Sequence, residues 1–151
     1  MADKSVQLNL SSLEELLNEY LGRKAPQLPA NIKESIVRFA PWITLVLILL
    51  SLPAVLVLFG MGRLLTTWSY IGGVQYGMSY TISLIILAVS LVLEALAIKP
   101  LMTSSKRGWN LVFYSTLLGI VSNIIWFNPG NLIIGALVPL YILFQIRSYY
   151  K

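Results

Sequence analysis

GWNLVFYSTLLGIVSNIIWFNPGNLIIGALVPLYILFQI, residues 108–146, carries no formal charge, and Arg107 and Arg147 close it at either end. A membrane helix needs only about 20 apolar residues to cross roughly 30 Å of hydrocarbon. The stretch is about twice that length, and Asn128-Pro129-Gly130-Asn131 at its centre is strong turn chemistry. It predicts two antiparallel membrane helices joined by a short loop. Two further uncharged runs precede it, Phe39–Gly62 and Leu64–Leu93. The expected fold is all-α: a polytopic membrane protein of four transmembrane helices, preceded by short cytoplasmic amphipathic helices.

Expected crossings are residues 39–61, 74–98, 108–127 and 132–148, with residues 1–38 as a cytoplasmic lead-in and 39–151 as the membrane domain. Trp42 anchors the first crossing at the interface and Pro53 bends its middle; Lys99-Pro100 stops the second. Between these two, Gly62–Gly73 reads as a loop in the headgroup zone. Lys and Arg set the direction. Lys4, Arg23, Lys24, Lys33, Arg38, Lys99, Lys106, Arg107, Arg147 and Lys151 fall on one side, and only Arg63 on the other. Positive residues favour the cytoplasmic face, so both termini are expected there.

Composition narrows the chemistry. The chain of 151 residues is 57% hydrophobic and 11% charged, against about 25% charged in soluble domains. Its net charge of +5 is scattered at the ends of apolar runs, which suits membrane orientation and not a nucleic-acid face. With no cysteine and no histidine, disulfides, thiol relays, Ser-His-Asp catalysis and most zinc sites are excluded. A cleavable signal peptide is not expected, because the first apolar run starts late and is long enough to span.

In the lead-in, Ser11 with Glu14 and Ser12 with Glu15 offer overlapping capping boxes. Leu13, Leu16, Leu17, Tyr20 and Leu21 then form one apolar stripe, with Gly22 as terminator. Pro26 and Pro29 mark a linker, and Asn31 can cap a second short helix with Glu34. Two readings of the stripe stand side by side. It lies on the bilayer or against the bundle, or it docks a cytoplasmic partner. Glu14, Glu15 and Glu19 oppose contact with an anionic membrane.

Each polar residue at depth needs a partner or a wet cavity. On the second crossing Tyr76, Tyr80, Ser83, Leu87, Ser90, Glu94 and Ala97 share one face. The third crossing has a matching face in Gly108, Val112, Ser115, Gly119, Ser122 and Trp126. Its Ser115-x-x-x-Gly119 step allows close helix approach, so Ser115, Gly119 and Ser122 form the candidate packing face. Glu94 is the only acidic residue in any crossing. It reads as a structural partner of an inner-end cation, Arg147 first and Lys99 second, or as a proton or cation site. Pro139 bends the fourth crossing or frees a carbonyl. Trp109, Tyr114, Tyr149 and Tyr150 at the inner ends, like Trp126 and Phe127 at the outer ones, read as aromatic belts.

Lys106-Arg107-Gly108-Trp109-Asn110-Leu111-Val112-Phe113-Tyr114, the ending Phe144–Lys151 and Ile36–Trp42 resemble a group of small uncharacterised bacterial four-helix membrane proteins. That resemblance implies the four-crossing architecture and a bacterial inner membrane, and no activity. Other four-helix families fit poorly: quinone-linked thiol oxidases need cysteines, and small multidrug exporters place their Glu in the first helix. Catalysis needs groups that exchange protons, attack or bind metal, and few are present. The functional expectation is a non-enzymatic accessory or scaffold subunit with no cofactor and no metal. Its partners would be the bilayer, a membrane protein or second copy, and a cytoplasmic protein at the leucine stripe. The alternative is a small oligomeric transporter or channel using Ser83, Ser90 and Glu94.

Overall fold

The computed structural model describes residues 10–60, 74–125 and 129–151. They are all helical apart from short connections, with no strand among them. The N-terminal helix α1 (Leu10–Leu17) widens without a break into a π-helical stretch, Asn18–Lys24, closed by the Ala25 amide donating to the Tyr20 carbonyl at 2.9 Å. Both Ser11 and Ser12 lie inside α1. A linker at 25–29 leads to α2 (Ala30–Gly60). Then follow α3 (Val74–Met102), α4 (Lys106–Ile125), α5 (Pro129–Gln145) and a 3-10 turn at Arg147–Tyr149.

Several boundaries depart from expectation. No second short helix stands apart: α2 starts at Ala30 and runs straight into the first crossing, so the division at 38/39 falls inside a helix. Its first turn is opened by the Pro29 carbonyl, which accepts from Ile32 and Lys33. Asn31 is already inside it, and its carbonyl accepts from the Ser35 hydroxyl. Pro100 does not stop α3, which ends at Met102. The stop is a Schellman arrangement: Ser104 donates to the Leu101 carbonyl and Ser105 to that of Pro100. Ser104 takes the left-handed conformation, φ 49°, that glycine usually supplies. Pro129 and Gly130 belong to α5, with Pro129 at its first position, where a missing N–H costs nothing. The expected loop at Gly62–Gly73, the outer aromatics Trp126 and Phe127, residue Asn128, and the side chains of Tyr76 and Tyr80 lie outside the described residues.

Among the described residues three helices are long and apolar enough to cross a membrane, and Leu132–Gln145 is a shorter apolar helix. Their flanks are open: Leu47, Leu50, Leu56 and Ile134 are each more than half exposed. In water such a surface would aggregate; in lipid it costs nothing. Thr44 and Ser51 donate back to the Ala40 and Ile48 carbonyls, so these hydroxyls need no water.

The described core sits at one end of the bundle, which is the expected cytoplasmic end. Ala97 and Leu101 of α3 meet Trp109 and Phe113 of α4 and Leu140, Leu143 and Phe144 of α5, with Ile146 and Tyr150 closing the cluster. Trp109 stacks on Phe113 at 5.2 Å, and Phe144 sets its edge against both. The Trp109 indole N–H donates to the Leu143 carbonyl at 2.8 Å, which satisfies one of the carbonyls that the end of α5 leaves open. Trp109 and Tyr150 are therefore core residues and not belt residues; a ring can bury fully when its polar atom finds a partner nearby, as the Trp109 N–H does. Tyr114 stays exposed.

At Gly108 the start of α4 lies tight against the last turn of α3. A Cβ there would lie 2.7 Å from the Leu101 nitrogen and 2.9 Å from the Pro100 carbonyl carbon. Gly119 differs. A Cβ at that position meets nothing within 4 Å among the described residues, so the close crossing expected there lies instead at Gly108, nearer the corner.

Candidate functional site

The polar groups at the core end of the bundle form two separate constellations. In the first, Ser115 of α4 is buried and its hydroxyl donates to Glu94 Oε1 of α3 at 2.8 Å. Ser115 thus does face α3, as its small size allows. The second places Arg147 against Glu14 of α1, with Lys106 Nζ 3.6 Å from the same carboxylate oxygen. The expected Glu94–Arg147 pair is thereby replaced. Arg147 pairs with Glu14 of the lead-in helix, and Glu94 accepts a hydrogen bond from a hydroxyl instead of meeting a cation. Lys99 is exposed on the last turns of α3. Ser83, Ser90 and Ser122 are each part-buried on their helices.

Around Arg147 the lead-in is fastened to the bundle. Gln145, buried among apolar residues, donates from Nε2 to the Leu21 carbonyl at 2.8 Å and accepts at Oε1 from the Leu28 amide at 3.3 Å. The Tyr141 hydroxyl donates to the Pro26 carbonyl. The π-helical stretch makes this possible, since its end leaves carbonyls open. Gln145 takes that of Leu21, and Gln27 takes that of Gly22 at 2.6 Å. Gly22 lies close to the Phe144 carbonyl of α5, 3.5 Å from where its Cβ would stand.

The leucine stripe is consequently split. Leu17 and Leu21 pack against the core cluster, while Leu13, Leu16 and Tyr20 are exposed. Of the two readings, contact with the bundle accounts for one half of the stripe and leaves the other half open.

Electrostatics at this end are local. Lys24 bonds Glu19 at 2.8 Å; the hydrogen bond and charge of each partner lower the carboxyl pKa and raise that of the ammonium. Arg147 and Lys106 both lie over the Trp109 ring, at 5.5 and 5.9 Å from its centroid. The Tyr150 hydroxyl is buried without a hydrogen-bond partner, and burial pushes its phenol up to about 12. Among the described residues no group of three or more carboxylates, imidazoles or thiols could hold a metal.

Glu14, Gln145, Tyr141 and Gly108 were not singled out as a joined site by sequence. Gln145 did carry a signal: it is the one amide side chain in the apolar run Leu132–Ile146, and a polar group there must be satisfied. No protein-family model matches the chain, and neither a curated protein nor a solved structure is significantly similar to it.

Proposed function

We propose that the chain is a non-enzymatic membrane scaffold or accessory subunit. In this reading it crosses a bacterial inner membrane four times with both termini cytoplasmic, and it presents its N-terminal helix to a partner. At about 1.5 Å per residue the 17 residues of α5 extend about 25 Å, close to the roughly 30 Å of hydrocarbon. The observation that carries the reading is the divided stripe. Leu17 and Leu21 spend their surface on the bundle, while Leu13, Leu16 and Tyr20 remain exposed on a segment that Glu14 and Gln145 hold in place. A fixed apolar ridge binds at low ordering cost. Glu15 and Glu19, exposed beside it, disfavour an anionic bilayer as its resting place.

A photo-crosslinking residue at Leu16 tests this in cells, with the inward Leu17 as control. The expected result is one protein adduct from position 16 that survives purification in mild detergent at fixed stoichiometry. Lipid adducts alone would remove the partner. The second reading, an oligomeric transporter, is favoured by one observation, the part-buried Glu94 carboxylate bonded to Ser115 between two crossings. Proteoliposomes decide it: loss of proton-coupled flux in Glu94→Gln, with unchanged thermal stability, would put transport first.

A further inference from the structure

Two cavities lie along the seam between α2 and α5, and their linings are opposite in kind. At the inner end a cavity of about 370 Å³ is lined by Arg23, Lys33, Lys106 and Arg147, with the amides of Gln27 and Gln145. Among the described residues no carboxylate lines it. A neighbouring cavity shares Arg23 and Arg147 and holds three carboxylates: Glu14 serves Arg147 and Lys106 together, Glu19 is bonded to Lys24 and also feels the charge of Arg23, and Glu15 lies beside them. Lys33 bonds only the Gln27 amide oxygen, at 2.8 Å. The pocket therefore holds a surplus of positive charge and suits a phosphate.

Further along the same seam is an almost wholly apolar cleft of about 390 Å³. Ile36, Ala40, Ile43 and Leu47 of α2 form one wall, and Val138 and Ile142 of α5 form the other. Trp109 and Val112 of α4 are its floor. Its two threonine hydroxyls are already spent on their own helices, Thr44 on Ala40 and Thr116 on Val112. An alkyl chain thus enters without stranding either hydroxyl. Lys33, Ile36, Ala40, Ile43 and Leu47 recur at spacings of three and four, so one face of α2 carries both the cationic pocket and the cleft. On α5, Val138, Ile142 and Gln145 do the same.

We infer that this seam binds one anionic phospholipid from the leaflet at this end of the bundle. The headgroup phosphate sits between Arg23, Lys33 and the Lys106–Arg147 pair, and one acyl chain lies in the cleft. A soluble phosphate would use only the first cavity, and a neutral lipid only the second. The inference rests on the bundle lying in a bilayer, which resistance of the membrane-bound protein to carbonate washing reports separately.

Native mass spectrometry of the full chain in neutral detergent tests it, with phosphatidylglycerol and phosphatidylcholine of identical acyl chains as probes. A cation near the headgroup contributes about fivefold in affinity. Set against Glu14, Glu15 and Glu19, the cations Arg23, Lys24, Lys33, Lys106 and Arg147 are in excess by two, which gives phosphatidylglycerol an advantage on the order of 25-fold. Arg23→Gln and Lys33→Gln should each lower its retention about fivefold while the lipid-free melting temperature stays unchanged. Ile43→Trp, which fills the cleft, should release the lipid although every cation remains. Equal retention of the two lipids would overturn the headgroup assignment, and full retention by Ile43→Trp would overturn the acyl-chain assignment. Displacement of phosphatidylglycerol by glycerol phosphate at equal concentration would make the ligand a soluble anion and refute the lipid.

Discussion

Gly108→Ala and Gly119→Ala make the same chemical change on the same helix and should move stability in opposite directions. At Gly108 the new methyl would stand 2.7 Å from the Leu101 nitrogen and 2.9 Å from the Pro100 carbonyl carbon. Ordinary contact begins near 3.4 Å, so the corner must open by about 0.7 Å (3.4 less 2.7). Both obstructing atoms are backbone, and no rotamer change relieves them. Overpacking of this kind costs about 1–3 kcal/mol. Replacing Gly by Ala inside a helix contributes about 0.8–1.0 kcal/mol in the other direction. At Gly119, with no described atom within 4 Å, only that gain applies. The propensity gain applies in full at Gly119 in mid-helix and less at Gly108 in the first turn of α4, so the difference is at least the contact cost of about 1–3 kcal/mol. For a chain of this size that separates the melting temperatures by on the order of 2–12 °C. Thermal unfolding of the two purified variants in one detergent, followed by tryptophan fluorescence, reads the difference directly. If Gly108→Ala melts at or above Gly119→Ala, the close approach of α3 and α4 at this corner is wrong.

The Glu14–Arg147 contact should behave as a coupled pair. Glu14→Gln and Arg147→Gln each lower the melting temperature, and the double variant loses less than their sum; strict additivity in that cycle would show no coupling. Gln145→Leu removes two of the lead-in's anchors and strands the Leu21 carbonyl, at a cost of about 1–3 kcal/mol. Proteolysis between Arg23 and Lys33 should then become faster, and an unchanged cleavage rate would show that the segment is held by other means. Ser104→Gly should stabilise by about 1 kcal/mol because it relieves a left-handed serine, measured as a rise in melting temperature. Glu94→Gln keeps a group that can accept from Ser115, so it should cost less than Glu94→Leu, which leaves that buried hydroxyl unpaired.

Charge-free run length predicted the long apolar helices, because the hydrocarbon thickness imposes itself directly on the chain. Their ends were less legible. Lys99-Pro100 looks like a stop, yet a proline in the last turn of a helix disturbs little that follows, and the corner waited for Ser104. The stripe Leu13–Leu21 was legible as amphipathic, but periodicity cannot say how much of an apolar face a docking site covers. Its division between Leu17 and Leu16 depends on where α5 ends. Ser115 and Glu94 were placed on facing stripes, and they do meet. The error lay in seeking a cation for Glu94. Arg147 was the natural choice by depth, and it is taken by a glutamate 133 residues away in sequence, a distance over which no spacing rule operates. Trp109 was misplaced for a related reason. An indole near a helix end suits the interface unless a carbonyl such as that of Leu143 is within reach, and that carbonyl is supplied by another helix.

The clasp between the lead-in and α5 also has a consequence in time. Glu14 and Leu21 are made well before Gln145 and Arg147. At roughly 5–20 residues per second of synthesis, the 133 residues between Glu14 and Arg147 take about 7–27 s to add. Throughout that interval the whole stripe is bare, Leu17 and Leu21 included, because the surface that will cover them does not yet exist. A binder that engages all five apolar residues can therefore capture the nascent chain, and the same binder meets only Leu13, Leu16 and Tyr20 once α5 has docked. Docking of α5 becomes the event that discharges it.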